Sequence, residues 1–127
     1  MAVCFSCGKD EITSLAGTKW KLTGFVDATT NASTTPMPKD CKECFTLTFD
    51  TEYTAIAHSI TLSMKLDLMD LNPDRMIGYM AELYDPNGHG WDFRVAIAIT
   101  ESFSLINNEL KLFYYGNKNY LLFKHVK

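Results

Sequence analysis

The 127-residue chain lacks any apolar run approaching the roughly 18 to 20 residues of a membrane-spanning helix, so a membrane can hold it only by an anchor or through sequence that is removed. It also lacks a charge surplus. Twelve Lys and Arg stand against fifteen Asp and Glu, a net charge of −3, which offers no electrostatic footprint for a nucleic acid. Histidine is scarce. His58, His89 and His125 are scattered, and none has a His, Asp or Glu at metal-ligand spacing on one element, so each reads as a surface or partly buried side chain. Missing too are Gly-x-Ser-x-Gly, His-Glu-x-x-His and any phosphate loop, while the carboxylates are dispersed over loops and polar strand faces. These absences point away from catalysis: the chain is expected not to be an enzyme and to hold no cofactor and no metal. There is no internal repeat and no second domain. At this length folding removes roughly two-thirds of the unfolded chain's surface from water, enough for one core.

What is present is alternation. Trp20, Leu22 and Val26 stand at spacing two in the segment 19–27, with Gly24 interrupting as in a bulged or bent strand. Residues 28–40 hold Pro36, Pro38 and many turn formers, which predicts a long surface loop, and its poverty in aromatic and charged groups favours solvated filler over a functional mouth. Phe45, Leu47 and Phe49 then alternate with Thr46, Thr48 and Asp50. After an Asp50-Thr51-Glu52 turn, residues 53–58 return as a hairpin, and Ile60, Leu62, Met64, Leu66 and Leu68 alternate with Thr61, Ser63, Lys65 and Asp67. Asn72-Pro73-Asp74 breaks the pattern. Residues 76–83 fit a strand or a helical stripe, with Gly78 favouring strand, and residues 85–90 are a turn. Residues 91–99 stay open: the β-branched residues favour strand, whereas Phe93, Ala96 and Ile97 fit one short helix. Near the end, Phe103 and Leu105 lead into an Asn107-Asn108 turn, Leu110, Leu112 and Tyr114 alternate with Lys111 and Phe113, and Tyr120 opens a last strand after Gly116-Asn117. The expectation is mostly β, a single antiparallel meander closing into a small barrel and so removing its exposed edges.

At the N-terminus a short apolar stub switches to polar residues after Cys7, and Ser6-Cys7-Gly8-Lys9-Asp10 resembles the junction at which a bacterial lipoprotein is cleaved and lipidated. That resemblance implies a signal remnant or tether over 1–13, a lipid anchor on Cys7, and a domain over 14–127. It implies a place in the cell envelope, outer-membrane-anchored or periplasmic/extracellular. Three further segments, Leu15-Ala-Gly-Thr-Lys-Trp-Lys-Leu-Thr-Gly, Cys41-Lys-Glu-Cys-Phe-Thr-Leu-Thr-Phe-Asp, and Ser102-Phe-Ser-Leu through Asn108 to Lys124, resemble the small lipocalin-like or META-type lipoproteins of Bacteroidetes over nearly the whole chain after residue 14. The resemblance implies a calycin/lipocalin-like β-barrel of about eight strands with one short helix near 91–99, and no established catalytic residues. Such folds host many functions, so it speaks to architecture and location.

Four cysteines form two Cys-x-x-Cys pairs, Cys4/Cys7 and Cys41/Cys44. Taken together they spell a tetrahedral thiolate zinc site, worth on the order of 10 kcal/mol of folding energy. Against zinc, the pairs lack glycine-rich turns, the first sits in a tail, and acylation of Cys7 would exclude it from a metal site. The favoured alternative is a Cys41–Cys44 disulfide in an oxidising compartment, stapling the end of the long loop for roughly 2 kcal/mol. A thioredoxin-like pair fits less well, because the motif precedes a strand and not a helix N-terminus. Two reduced cysteines would suit a cytosolic protein.

Aromatic and sulfur side chains fill a small barrel before they line a pocket, yet Met64, Tyr79, Trp91 and Phe113 are a candidate ligand-binding set. The functional expectation is a monomeric, non-catalytic binding module of the envelope. Its partner is a small hydrophobic molecule or an envelope protein, with membrane contact through the lipid anchor alone. A structural zinc protein and an inhibitor-like or assembly protein are the alternatives. A cavity lined by those four residues favours the small ligand; a packed interior with exposed apolar surface favours the protein partner.

Overall fold

A computed structural model describes residues 12–71 and 88–127. In chain order the elements are β1 (Lys19–Asp27), β2 (Ser33–Thr34), β3 (Thr46–Phe49), β4 (Thr54–His58), β5 (Ser63–Asp67), α1 (Gly90–Ala98), β6 (Ser102–Ile106), β7 (Glu109–Tyr114) and β8 (Asn119–Val126). Every pairing is antiparallel, and the sheet runs β5-β4-β3-β1-β8-β7-β6 with β2 added to β1. β1 is the central strand. It joins the hairpins β3-β4-β5 to the C-terminal meander.

The period-two rows become the core as expected. Leu22 pairs with Phe123 and Phe123 with Leu110, while Leu121 pairs with Leu112, so apolar side chains meet across three strands on one face. With Trp20, Leu47, Phe49, Ala55, Ala57 and Leu66 they form one buried cluster. The Asn107-Asn108 turn has both residues at φ near +55 to +58°, the left-handed pair that a tight hairpin demands and asparagine tolerates.

The structure departs from expectation in three places. First, where a closed meander was expected, the described strands form a curled half-barrel in which no pairing joins β5 to β6. α1, a helix about 10 Å across, packs on the inner face of that half-barrel and takes the room that the side chains of a small barrel would fill. Second, the register of β1 against β8 slips between Leu22 and Gly24, which makes Thr23 the extra residue of a bulge. Trp20 and Leu22 face the core, but beyond the bulge Phe25, opposite Leu121, takes the inner face, and Val26, opposite Tyr120, takes the outer one. All three residues of the expected Trp20, Leu22, Val26 row are buried, but the bulge puts Val26 on the face opposite the other two. Third, the Ile12 amide donates to Asn108 Oδ1 at 2.8 Å and its side chain packs on the core, so the folded part reaches two residues further back than position 14. The expected strand over 76–83 lies outside the described residues, as do Cys4 and Cys7. Among the described residues, no helix is long and apolar enough to cross a membrane.

Candidate functional site

The concave face is where a barrel of this kind would receive a ligand, and α1 occupies it. The helix forms where Phe93, Ala96 and Ile97 make an i, i+3, i+4 stripe, and Asp92 in its first turn complements the positive end of the helix dipole. Phe93 is fully buried. Its ring meets Phe45 edge-on at 5.5 Å between centroids and Phe123 at 6.3 Å. Thr100, just past the helix, donates from Oγ1 to the Ala96 carbonyl at 2.7 Å, which satisfies a buried hydroxyl. Arg94 is buried as well, a charged residue that the sequence pattern gives no reason to place inside.

The candidate ligand set does not assemble. Met64 lies on the inner face of β5 and packs against the core, and Trp91 is half-buried on α1. Phe113 alternates with the buried Leu112 and Tyr114, so it projects from the opposite, convex face, where its ring lies 5.4 Å from Tyr120. Side chains on opposite faces of one sheet cannot line one cavity. Tyr79 lies outside the described residues. On the convex face Lys111 Nζ sits 4.8 Å over the Tyr120 ring, a cation–π contact that covers part of this aromatic pair.

The long loop is pinned where filler was expected. The Met37 amide donates to His89 Nδ1 at 2.9 Å, the His89 amide donates back to the Met37 carbonyl at 2.8 Å, and the His89 ring lies 5.3 Å from Phe25. Acceptance at Nδ1 assigns the proton of the neutral ring to Nε2. The latch ties residues 35–40 to the start of α1. Sequence spacing carries no signal for it, because its partners stand 52 residues apart.

At the end of the same loop Cys41 and Cys44 are joined, with Cα atoms 5.3 Å apart, and Cys44 is fully buried. The Lys21 ammonium caps this turn from β1, donating to the carbonyls of Cys41 at 2.6 Å and of Cys44, with the Lys42 carbonyl at 3.4 Å. A cation among converging carbonyl oxygens makes charge-assisted hydrogen bonds, which are stronger than neutral ones. Partial burial holds the Lys21 pKa below its ordinary value, against the pull of Glu43 in the other direction. Lys19 and Glu43 pair at 2.6 Å in solvent, a contact of little weight for stability, although the Lys19 hydrogen bond keeps the Glu43 carboxyl below its usual range. A disulfide sulfur is not a thiolate, so this pair as it stands cannot serve as half of a zinc site. Among the described residues no group of three or more His, Cys, Asp or Glu is placed to hold a metal. Reducing the disulfide is expected to lower stability by about 2 kcal/mol on the chain-entropy account of so short a ring. Urea midpoints measured with and without reductant check this; coincident curves would mean that the ring constrains nothing.

Tyr114 supplies a pH-dependent term. Burial, with smaller contributions from Tyr115 and Asp92, pushes its pKa up from 10.0 to about 12. Above pH 10 the unfolded chain releases this proton while the folded chain keeps it, so stability falls as pH rises from 10 to about 12. The depressed Lys21 acts in the opposite sense, so the comparison is made against Tyr114→Phe: thermal midpoints of this variant should decline less steeply over that window. Parallel declines would remove Tyr114 as the cause.

Over 116 residues the chain is 34% identical to a protein of Tannerella forsythia named "Putative lipoprotein", a match that covers 91% of this chain and 78% of that protein. No family model matches the chain, and no solved structure matches it.

Proposed function

The chain belongs to a lipoprotein family, that of the Tannerella forsythia protein, and on that premise we propose that it is a non-catalytic interaction module of the cell envelope that binds a protein partner through its outer surface. The observation that carries this reading is the filled concave face. Phe93 is wedged between Phe45 and Phe123, and Ala96 and Ile97 are buried beside it, where a lipocalin-like binder would keep room for a small hydrophobic ligand. Cys7 serves as the lipid anchor in this reading, and the Cys41–Cys44 disulfide suits the oxidising compartment outside the inner membrane. What remains for recognition is the outer surface: the half-buried convex strip of Phe113, Tyr120 and Lys111 and the exposed Ile56 on β4.

The test is a titration of the native chain with a fluorescent fatty acid that brightens in apolar pockets. Protein binding by the outer surface predicts no saturable uptake by the native chain. Saturable uptake at one site per chain, competed by a second apolar ligand, would replace this reading with a ligand carrier.

A further inference from the structure

We propose that the rim from which the N-terminal segment leaves the half-barrel rests on the membrane that holds the anchor, with Tyr53, Met69, Ile106 and Val126 in the headgroup layer. This rests on the reading of Cys7 as the lipidated residue. The strand registers place that rim. The turn between β3 and β4, the end of β5, the end of β6 and the end of β8 all lie at the same end of the sheet, because Thr54 pairs with Asp67, Lys19 with Thr48 and Val126, and Ile106 with Glu109. Ile12 is bonded to Asn108 at that end. The Leu68 amide donates to the Tyr53 carbonyl at 2.8 Å, which brings Tyr53 and Met69 together.

Exposed apolar residues are segregated there. Tyr53 is 38% exposed, Met69 71%, Ile106 65% and Val126 37%, and Ile56 on the outer face of β4 stands two register pairs inside the rim residue Thr54. Of the exposed large apolar residues, Met37 and Tyr115 lie at the opposite rim. Single exposed apolar side chains are ordinary, but their gathering at the rim where the chain enters calls for a cause. Tether length supplies one. Five residue-to-residue steps lead from Cys7 to Ile12, and they reach at most roughly 18 Å. An anchored Cys7 therefore keeps this rim beside the bilayer, while a nine-residue β1 sets the opposite rim about 30 Å further out. A tyrosine with its apolar ring and polar tip suits the interfacial layer. The charges at the rim are of both signs, Asp50, Glu52, Asp67, Asp70 and Glu109 against Lys19, Lys124 and Lys127, with Lys124 paired to Glu109; an acidic excess gives anionic headgroups no hold, so apolar contact decides the docking.

The experiment uses the full chain made in a bacterium that acylates its lipoproteins, with the acyl mass on Cys7 read first. The protein is then placed in vesicles of phosphatidylethanolamine and phosphatidylglycerol whose acyl chains carry bromine near the headgroup, as a short-range quencher of tryptophan. Ile106→Trp and Met69→Trp are compared with Tyr115→Trp, against the background of Trp20 and Trp91 in the native chain. The expected result is a blue shift and loss of emission for the variants at 106 and 69, unchanged by added salt, and no loss above the native background at 115. An acylated protein quenched equally at both rims, or at neither, overturns the rim contact and leaves the anchor standing. Emission that shifts at 106 and 69 without quenching assigns the rim to a second copy of the chain and overturns the proposal in that way. A chain with no acyl mass on Cys7 overturns the anchor reading and takes the proposal with it.

Discussion

Replacing Phe93 by alanine is expected to cost about 3 to 5 kcal/mol, a large share of the roughly 5 to 15 kcal/mol by which a domain of this size is stable. The ring is fully buried at the centre of the concave face, and its loss removes two edge-on aromatic contacts together with most of the purchase of α1 on the sheet. Among the described residues β5 and β6 do not pair, and α1 packs on the core face that both halves of the sheet share, so loosening it loosens both. The variant should melt well below the native protein in a calorimetric scan. Under native conditions it should take up the apolar probe that the native chain refuses, because the space vacated by the ring is lined by Phe45 and Phe123. A native-like melting point would mean that the sheet stands without its helix.

Gly88→Ala should be nearly as damaging, through the backbone. Gly88 has a φ of +76°, and a Cβ built there falls 2.0 Å from the Met37 carbonyl oxygen, the atom that accepts from the His89 amide. Neither the left-handed conformation nor a main-chain oxygen yields cheaply, so a loss of at least about 2 kcal/mol is expected. It should come with faster hydrogen exchange at the amides of Met37, His89 and Phe93. Gly24→Ala is the control. There the added Cβ meets the Ser33 hydroxyl oxygen at 2.3 Å, the end of a side chain that can rotate, and the penalty should stay within about 1 kcal/mol. Equal penalties at the two glycines would contradict the assignment of Met37 and His89 as a latch.

Strand positions and the hairpin turns were legible because alternation needs only a two-residue period and a turn residue at each end. Leu110, Leu112 and Tyr114 inward, with Phe113 outward, follow from that period, and the same rule that located β7 also excluded Phe113 from a shared cavity with Met64. The bulge was legible as a disturbance at Gly24 but not in its effect, since the choice between Phe25 and Val26 for the inner face depends on which residue is skipped. α1 was half-legible: nine residues rich in β-branched and aromatic side chains satisfy both periods, and only the concave face of a sheet made elsewhere in the chain selects the helix. The contacts around the candidate site were hidden altogether. Lys21 reads as an ordinary outward lysine beside Trp20, and its use as a cap for carbonyls 20 and 23 residues away is a product of the fold. Arg94 stands on the buried side of α1, a position that the helical stripe of Phe93, Ala96 and Ile97 does not announce.

The pairing of β1 with β8 has a bearing on how the protein is made. The Thr23 hydroxyl bonds the Leu122 carbonyl across 99 residues of sequence, and the strand at the centre of the sheet acquires its neighbour β8 only when that strand emerges. At 5 to 20 residues per second, translation holds β1 without that partner for roughly 5 to 20 seconds. During that interval half of the sheet does not exist, and the long loop closure adds its own delay. A sheet that waits on so distant a strand stays incomplete for most of the time its residues are being made, and through that interval the unpaired edge of β1 stands open to other strands.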